Sequence, residues 1–389
     1  MDAGRTATVV VEPDPGGHHF QAAAAVVSLA RRHGPVHLLT STGATASSAF
    51  EIYLGDAVRA GHVEVFEPYD EKFPPTATMI DVAVERAAAL EDAADAVTLV
   101  VMDADQSLKR WWYLAPGRLR RLRRRPRVVF MLTRYPARLR VTDWVGWRLR
   151  LPKALLTVLA RATGSLDRAA GFAGREETAS GWIVKRARDP HYASAHADQR
   201  DRWREELGLP LDTTLVGIFG EVSERKNAPL ILEAIDAAAL DAHLVVAGNI
   251  TEEVRGWIDG LEPRDRDRVH VRDGFLPNEE LDMFVAAVDV VPLALTNNGP
   301  SGIMGKAAAA GVPVVTCGST VRAREVRSTG AGRACDFTAG SIGSAMAEVV
   351  SPGFRMPPVP EPVTPEEFAA VILGVEAPDR PAVERGVDR

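Results

Sequence analysis

The feature that most constrains this chain is an alternation kept up almost from end to end, in which short β-branched, apolar runs are separated by Ala-rich segments of helical spacing. Such alternation reads as parallel strands joined by crossover helices, an α/β fold. In the first half, strands are expected at residues 8–11, 36–39, 63–66, 98–102 and 128–132, with 182–184 closing the half, and helices at 20–31, 79–93 and 152–162. Most of these strands are apolar nearly throughout, as strands covered on both faces should be. Charge, His and Pro replace the periodicity over residues 185–210, where only 198–207 looks helical, so this stretch reads as a linker. The alternation then restarts as LVGIFG, HLVVAG, VHV, DVVPL and PVVT, with helices from Ala228, near 252–261, from Asn278 and from Ser301. A chain of 389 residues exceeds the roughly 250–300 residues over which one hydrophobic core grows, so two domains are expected. They are placed at residues 1–188 and 189–362, with a helix in 363–389 that crosses back to the first.

Composition excludes more than it selects. The two cysteines, Cys317 and Cys335, form no CxxC pair and lie near no His cluster, which argues against a disulfide framework or a zinc site. The start has neither the basic opening nor the apolar length of a signal peptide, and no segment reaches the roughly 18 apolar residues of a membrane span, so a cytoplasmic location is expected. Two aspartates at Asp103 and Asp105, with no histidine in their segment, are a thin case for metal, and none is expected.

Four segments carry candidate chemistry. Residues 297–315 read NNGPSGIMGKAAAAGVPVV: a Gly/Ser loop between a strand and a helix whose free N–H groups suit an anion, with Asn298, Gly299, Ser301, Gly302 and Lys306 as candidate contacts. This is not a Walker A loop, because Pro300 replaces its first glycine and Ala307 its Ser/Thr. Residues 219–227, FGEVSERKN, place Gly220, Glu221, Arg225 and Lys226 at a strand's carboxyl end, where open α/β sheets bind ligands. Residues 13–21, PDPGGHHFQ, put Gly16, Gly17, His18 and His19 at the corresponding place in the first domain. Later strand ends of that domain supply Asp103 and Asp105 as candidate catalytic carboxylates and Arg134 and Tyr135 as candidate acceptor contacts.

Gly220 through Lys226, Ala247-Gly248, the DGFLPNEEL stretch from Asp273 and the loop–helix–GVPVV segment resemble, in order and spacing, the C-terminal domain of GT-B glycosyltransferases, especially the large retaining bacterial family. The resemblance implies two Rossmann-like domains facing each other across a cleft, and transfer of a sugar from a nucleoside diphosphate sugar to a hydroxyl with no cofactor beyond that co-substrate. It implies diphosphate contact by Lys226, base contact by Arg272, Gly274 and Phe275, and sugar and phosphate contact by residues 298–306. The chain departs from the family at Asn298 and Lys306, which stand where paired glutamates are usual, and at Glu221, which replaces a basic residue. A silent sugar-nucleotide binder and a nucleotide-sugar epimerase therefore stay open as alternatives to a transferase.

Charge is unevenly spread: residues 107–161 hold sixteen Lys/Arg against the single acid Asp143, in a chain of net charge −6. Trp144 and Trp147 lie among these cations. That mixture suits an anionic or lipid-linked acceptor at the inner membrane surface, whereas no nucleic-acid motif accompanies it.

Overall fold

The computed structural model describes residues 4–133, 135, 144–173, 181–190, 192–296, 301–358 and 363–378. The chain divides into two compact units, one of residues 1–190 and 363–389, the other of 191–362.

The first unit is built on seven parallel strands: β1 (Thr6–Val11), β2 (Val36–Ser41), β3 (Glu64–Tyr69), β4 (Ala96–Val101), β5 (Arg127–Leu132), β6 (Arg168–Ala173) and β7 (Lys185–Arg188). They lie in the order β3-β2-β1-β4-β5-β6-β7. β1, β4 and β5 are buried over most of their length because helices cover both faces. On one face the indole of Trp111, fully buried, meets the Phe130 ring edge-on at 4.8 Å and donates to the Ser165 carbonyl at 2.8 Å. On the other, the C-terminal helix Pro365–Leu373 packs against the helix Gly17–Ala30 and over β5, β6 and β7. That helix opens with a capping box in which Thr364 and Glu367 satisfy each other's backbone N–H groups.

In this unit two strands differ from expectation. β6, RAAGFA, has no β-branched residue, and its pairing with β5 and β7 decides its state against propensity. The closing strand is Lys185–Arg188 and not residues 182–184; it is an edge strand, where charged side chains are suited, and Trp182 before it is 91% exposed. The helix Leu108–Leu119 occupies part of the basic stretch for which no element was expected.

The second unit carries β8 (Thr214–Phe219), β9 (Ala242–Gly248), β10 (Val269–Asp273), β11 (Val291–Ala294), β12 (Val314–Cys317) and β13 (Gly332–Ala334). They form the parallel sets β10-β9-β8 and β11-β12-β13, joined by a parallel bridge between Val216 and Val290. In both units the strand order reverses beside the first strand, between β1 and β4 and between β8 and β11. A crevice opens at the carboxyl ends of such a pair, where the loops diverge to opposite faces.

At the second of these points two loops touch through backbone alone. Gly248 has φ of 134°, and a Cβ there would lie 2.0 Å from the Gly220 carbonyl oxygen. Gly248→Ala is therefore expected to destabilise the unit by about 2 kcal/mol or more, from forbidden backbone and a clash with main chain. Urea unfolding checks this, and an unchanged midpoint would show that the loops part freely.

Candidate active site

In the first unit, the strand-end segment after β1 turns back on its own carboxylates. The backbone N–H of Asp14 donates to Glu12 Oε1 at 3.0 Å, and that of Gly16 to Asp14 Oδ1 at 2.9 Å, which sets the helix start at Gly17. The first turn then delivers two histidines. His19 is buried with Nδ1 3.1 Å from Glu12 Oε2 and Nε2 3.3 Å from Asp14 Oδ2. Both ring nitrogens face acceptors, and only the imidazolium donates from both. Burial works against that charge, but the hydrogen bond and field of Glu12, with Asp14 and Asp103, outweigh it and hold the His19 pKa above the usual 6.5. Burial likewise lifts the Glu12 carboxyl, against the pull of His19. Asp14 is lowered: burial opposes this, and Lys72, 2.7 Å away, and the Gly16 N–H outweigh it. The exposed His18, its ring tilted at 49° to that of His19 with centroids 4.2 Å apart, is pushed below 6.5 by partial desolvation and by its cationic neighbour.

Asp103, expected to lack a histidine, ends β4 beside this cluster and its charge acts on Glu12, His18 and His19. It holds φ of 39°, a left-handed conformation uncommon outside glycine, and accepts from the Thr133 hydroxyl. Asp105 is bound to Lys153 and to the Thr133 N–H, so its carboxylate braces the β5 strand end. Glu12, Asp14 and Lys72 were not singled out in the sequence. The available signal was an acid directly closing an apolar strand and a second two residues on.

In the second unit, Gly220 follows β8 at φ of 88°, and a Cβ on it would lie 3.4 Å from Lys226 Nζ and 3.9 Å from Ile303 Cδ1. The Gly220 loop, Lys226 and the first turn of the helix Gly302–Ala310 thus converge at the switch point. Ser301 is the N-cap of that helix. Lys226 folds back to donate to the Phe219 carbonyl, and Asn227 ties the same turn to the Ala294 carbonyl at the end of β11 by a 2.7 Å bond. Burial, then the neighbouring Arg225, depresses the Lys226 pKa to about 8. Arg225 and Glu221 are exposed beside it. Gly274 donates its N–H to the Gly248 carbonyl at 3.0 Å, and Phe275 next to it is half-buried. Arg272 pairs with Glu280 at 2.9 Å.

Lys306 does not join this group. Its Nζ lies 2.5 Å from Oδ1 of the buried Asp282, whose other oxygen takes the Ser194 N–H, and it sits 5.6 Å from the Tyr192 ring centroid. The lysine at the glutamate position is thus tied to Asp282 within the unit. Asn298, Gly299 and Arg134 lie outside the described residues.

The basic stretch is less bare than its composition. Arg118 pairs with Asp81, Arg123 with Asp92 and Arg125 with Asp167, acids that the fold brings from other segments. Trp111 is core, but the helix Trp144–Ala162 leaves Trp144, Leu151 and Leu155 exposed at 73, 58 and 61%. Trp147 on it is half-buried, and Tyr135 accepts from Arg150 Nε at 3.3 Å. Among the described residues no group of three or more His, Cys, Asp or Glu is arranged to hold a metal ion, and no helix is long and apolar enough to cross a membrane.

Residues 213–351 match the family described as Glycosyl transferases group 1. The chain is similar to 2-deoxystreptamine glucosyltransferase of Streptomyces kanamyceticus, 27% identical over 182 residues that make up 46% of this chain and 46% of that protein. It thus spans about half the length of the curated relative it matches. Among solved structures, HepE of Anabaena in complex with UDP superposes with a TM-score of 0.56 at 15% identity, covering 95% of this chain and 98% of that one. The glycosyltransferase WaaG, involved in lipopolysaccharide biosynthesis, gives 0.54 at 15%, covering 95% and 100%. Sucrose-phosphate synthase from Thermosynechococcus elongatus gives 0.54 at 14%, covering 95% and 94%. These likenesses show the fold, the two Rossmann-like units of GT-B glycosyltransferases.

The histidine cluster has a measurable signature. His19 and Glu12 both have folded pKa values above their unfolded ones, so these two groups contribute stability that is lost as pH rises, while the lowered His18 and Asp14 act with the opposite sign. The His19 part is fully present below its usual 6.5 and is lost as pH climbs through the raised folded value. In Glu12→Gln the His19 pKa is expected to fall, with His18 moving less. An NMR titration of the imidazole carbons checks this, and an unmoved His19 would show that Glu12 does not hold its proton.

Proposed function

We propose that the chain transfers a sugar from a nucleoside diphosphate sugar to an acceptor hydroxyl, with the donor diphosphate seated at the β8–β11 switch point. The observation that carries this reading is Lys226, a half-buried cation whose Nζ and the Ile303 side chain, in the first turn of Gly302–Ala310, both lie against Gly220. A diphosphate there meets a lysine, the exposed Arg225 and a helix N-terminus, which together stabilise the charge that grows on the leaving group. Protein-borne cations then do what a divalent ion does elsewhere, and transfer retains the anomeric configuration, as the family resemblance implies. The UDP bound by HepE supports a nucleoside diphosphate as the leaving group. In the first unit, exposed and largely neutral His18 is the member of the pair open to substrate, while His19, clamped by Glu12 and Asp14, positions it.

Because burial holds Lys226 near pH 8, its charge is lost as pH rises through that value, and nucleoside diphosphate affinity should fall with it. Lys226→Ala is expected to weaken UDP binding by about 10-fold or more and to flatten the decline, since a charge-assisted contact contributes roughly 1.5–3 kcal/mol. Calorimetry from pH 7 to 9.5 reads both effects. Affinity that is equal in the two proteins would remove Lys226 from the donor site, and isomerised nucleotide sugar from a donor-only reaction would replace transfer by epimerisation.

On the acceptor side, Trp144, Leu151, Leu155 and Val158 recur at helical spacing on one exposed stripe, with Arg148 exposed among them. Apolar residues with cations beside them bind the boundary of an anionic bilayer, which supports a lipid-linked acceptor. The wild type should co-sediment with anionic but not neutral vesicles, and less so at high salt. A Trp144→Ser, Leu151→Ser, Leu155→Ser variant should lose most of this binding. Indifference of the wild type to anionic vesicles at low salt would favour a soluble acceptor.

A further inference from the structure

At the opposite end of the first unit's sheet, where β1 and β4 begin, a cavity of about 330 Å³ lies beneath the ends of Gly17–Ala30 and Pro365–Leu373. That volume falls within the roughly 300–1,000 Å³ of small-molecule pockets. Its floor is polar in an unusual way. Thr8 and Thr98 are cross-strand partners, only 3% and 6% exposed, yet neither hydroxyl bonds to any described residue. Neither oxygen is among the buried polar atoms sealed off without a partner, so both hydroxyls open into the cavity and can donate to what enters it. Its rim is cationic, with Arg124 and Arg127 on one side and His33 on another. Arg124 is half-committed to the Ala94 and Asp95 carbonyls, whereas Arg127 has neither an ion pair nor a hydrogen bond among the described residues. Instead, Arg127 shares the Gly374 surface with a second guanidinium: a Cβ on Gly374 would lie 2.7 Å from Arg127 Nη2 and 2.9 Å from Arg168 Nη1. The acid lining the pocket, Asp95, already accepts the Arg5 N–H at 2.8 Å, and Asp167 is taken by Arg125. Leu373 and Val375 supply an apolar wall.

We propose that this cavity binds a small organic anion, its phosphate or carboxylate oxygens set between Arg127 and the Thr8 and Thr98 hydroxyls and its carbon skeleton against Leu373 and Val375. Thr8, Thr98 and Arg127 are register partners across β1, β4 and β5 and so share one face of the sheet, which offers an oxyanion hydroxyl and guanidinium donors in a row, and the ligand would pin the end of the C-terminal helix to the sheet. The site is separate from the donor site and does not rest on the transferase reading. The probes are inorganic phosphate and citrate, against sodium chloride at matched ionic strength, with thermal unfolding and calorimetry on the full chain. One anion or both should raise the melting temperature of the wild type and of Lys226→Ala alike; which of them acts assigns phosphate or carboxylate chemistry. In Arg127→Gln the half-maximal concentration should rise at least 10-fold. Thr8→Val with Thr98→Val should do the same without loss of stability, and if that pair fails to fold, the exposed Arg127 variant alone decides. An equal response in Arg127→Gln, a response lost in Lys226→Ala, or no response to either anion would overturn the proposal.

Discussion

The second unit depends on main chain touching main chain where β8 and β9 end. Gly220 donates to the Ala247 carbonyl while Gly248 presses on Gly220, so two loops close over each other with no side chain between them. Everything downstream uses that closeness. Lys226 reaches back to the Phe219 carbonyl only because the loop after Gly220 is short and tight, and Asn227, itself in a left-handed conformation, then secures the turn to β11. The lysine ends up half-buried against the Phe219 carbonyl, with the charge of Arg225 beside it, and so its proton is loosely held. A group in that state responds strongly to an arriving anion.

The first unit solves the same geometric problem with charge. Its strand-end segment is braced by Glu12 and Asp14, which accept backbone N–H groups and grip His19 from both sides. The result is a rigid, proton-rich cluster beside an exposed histidine. Backbone packing in one unit and an ionic clamp in the other give the two crevices different sensitivities, the one to any added carbon, the other to pH.

Most of the framework was legible because strands covered on both faces are written as apolar runs, and because glycines at strand ends report loops that need them. The strand β6 was not, since alanine and glycine say nothing about sheets until neighbours enclose them. Charge was the least legible. Arg118, Arg123 and Arg125 look unopposed along the chain, yet Asp81, Asp92 and Asp167 reach them only after folding. Lys306 follows the same rule: it looks unopposed along the chain, and Asp282, 24 residues earlier, pairs with it. Glu12, by contrast, was visible as an acid at the end of an apolar strand, but its importance comes from His19, seven residues on and brought back to it by the turn into the helix.

The helix Pro365–Leu373 belongs to the first unit although residues 191–362 intervene before it. The second unit is thus a contiguous insertion, complete in itself, while the first lacks the cover of β5, β6 and β7 until that helix exists. During synthesis the insertion has all its strands in hand before the earlier unit has its last piece. The sheet that is made first is therefore finished second, and closing it brings together segments about two hundred residues apart, as in the bond from Arg168 to the Val371 carbonyl.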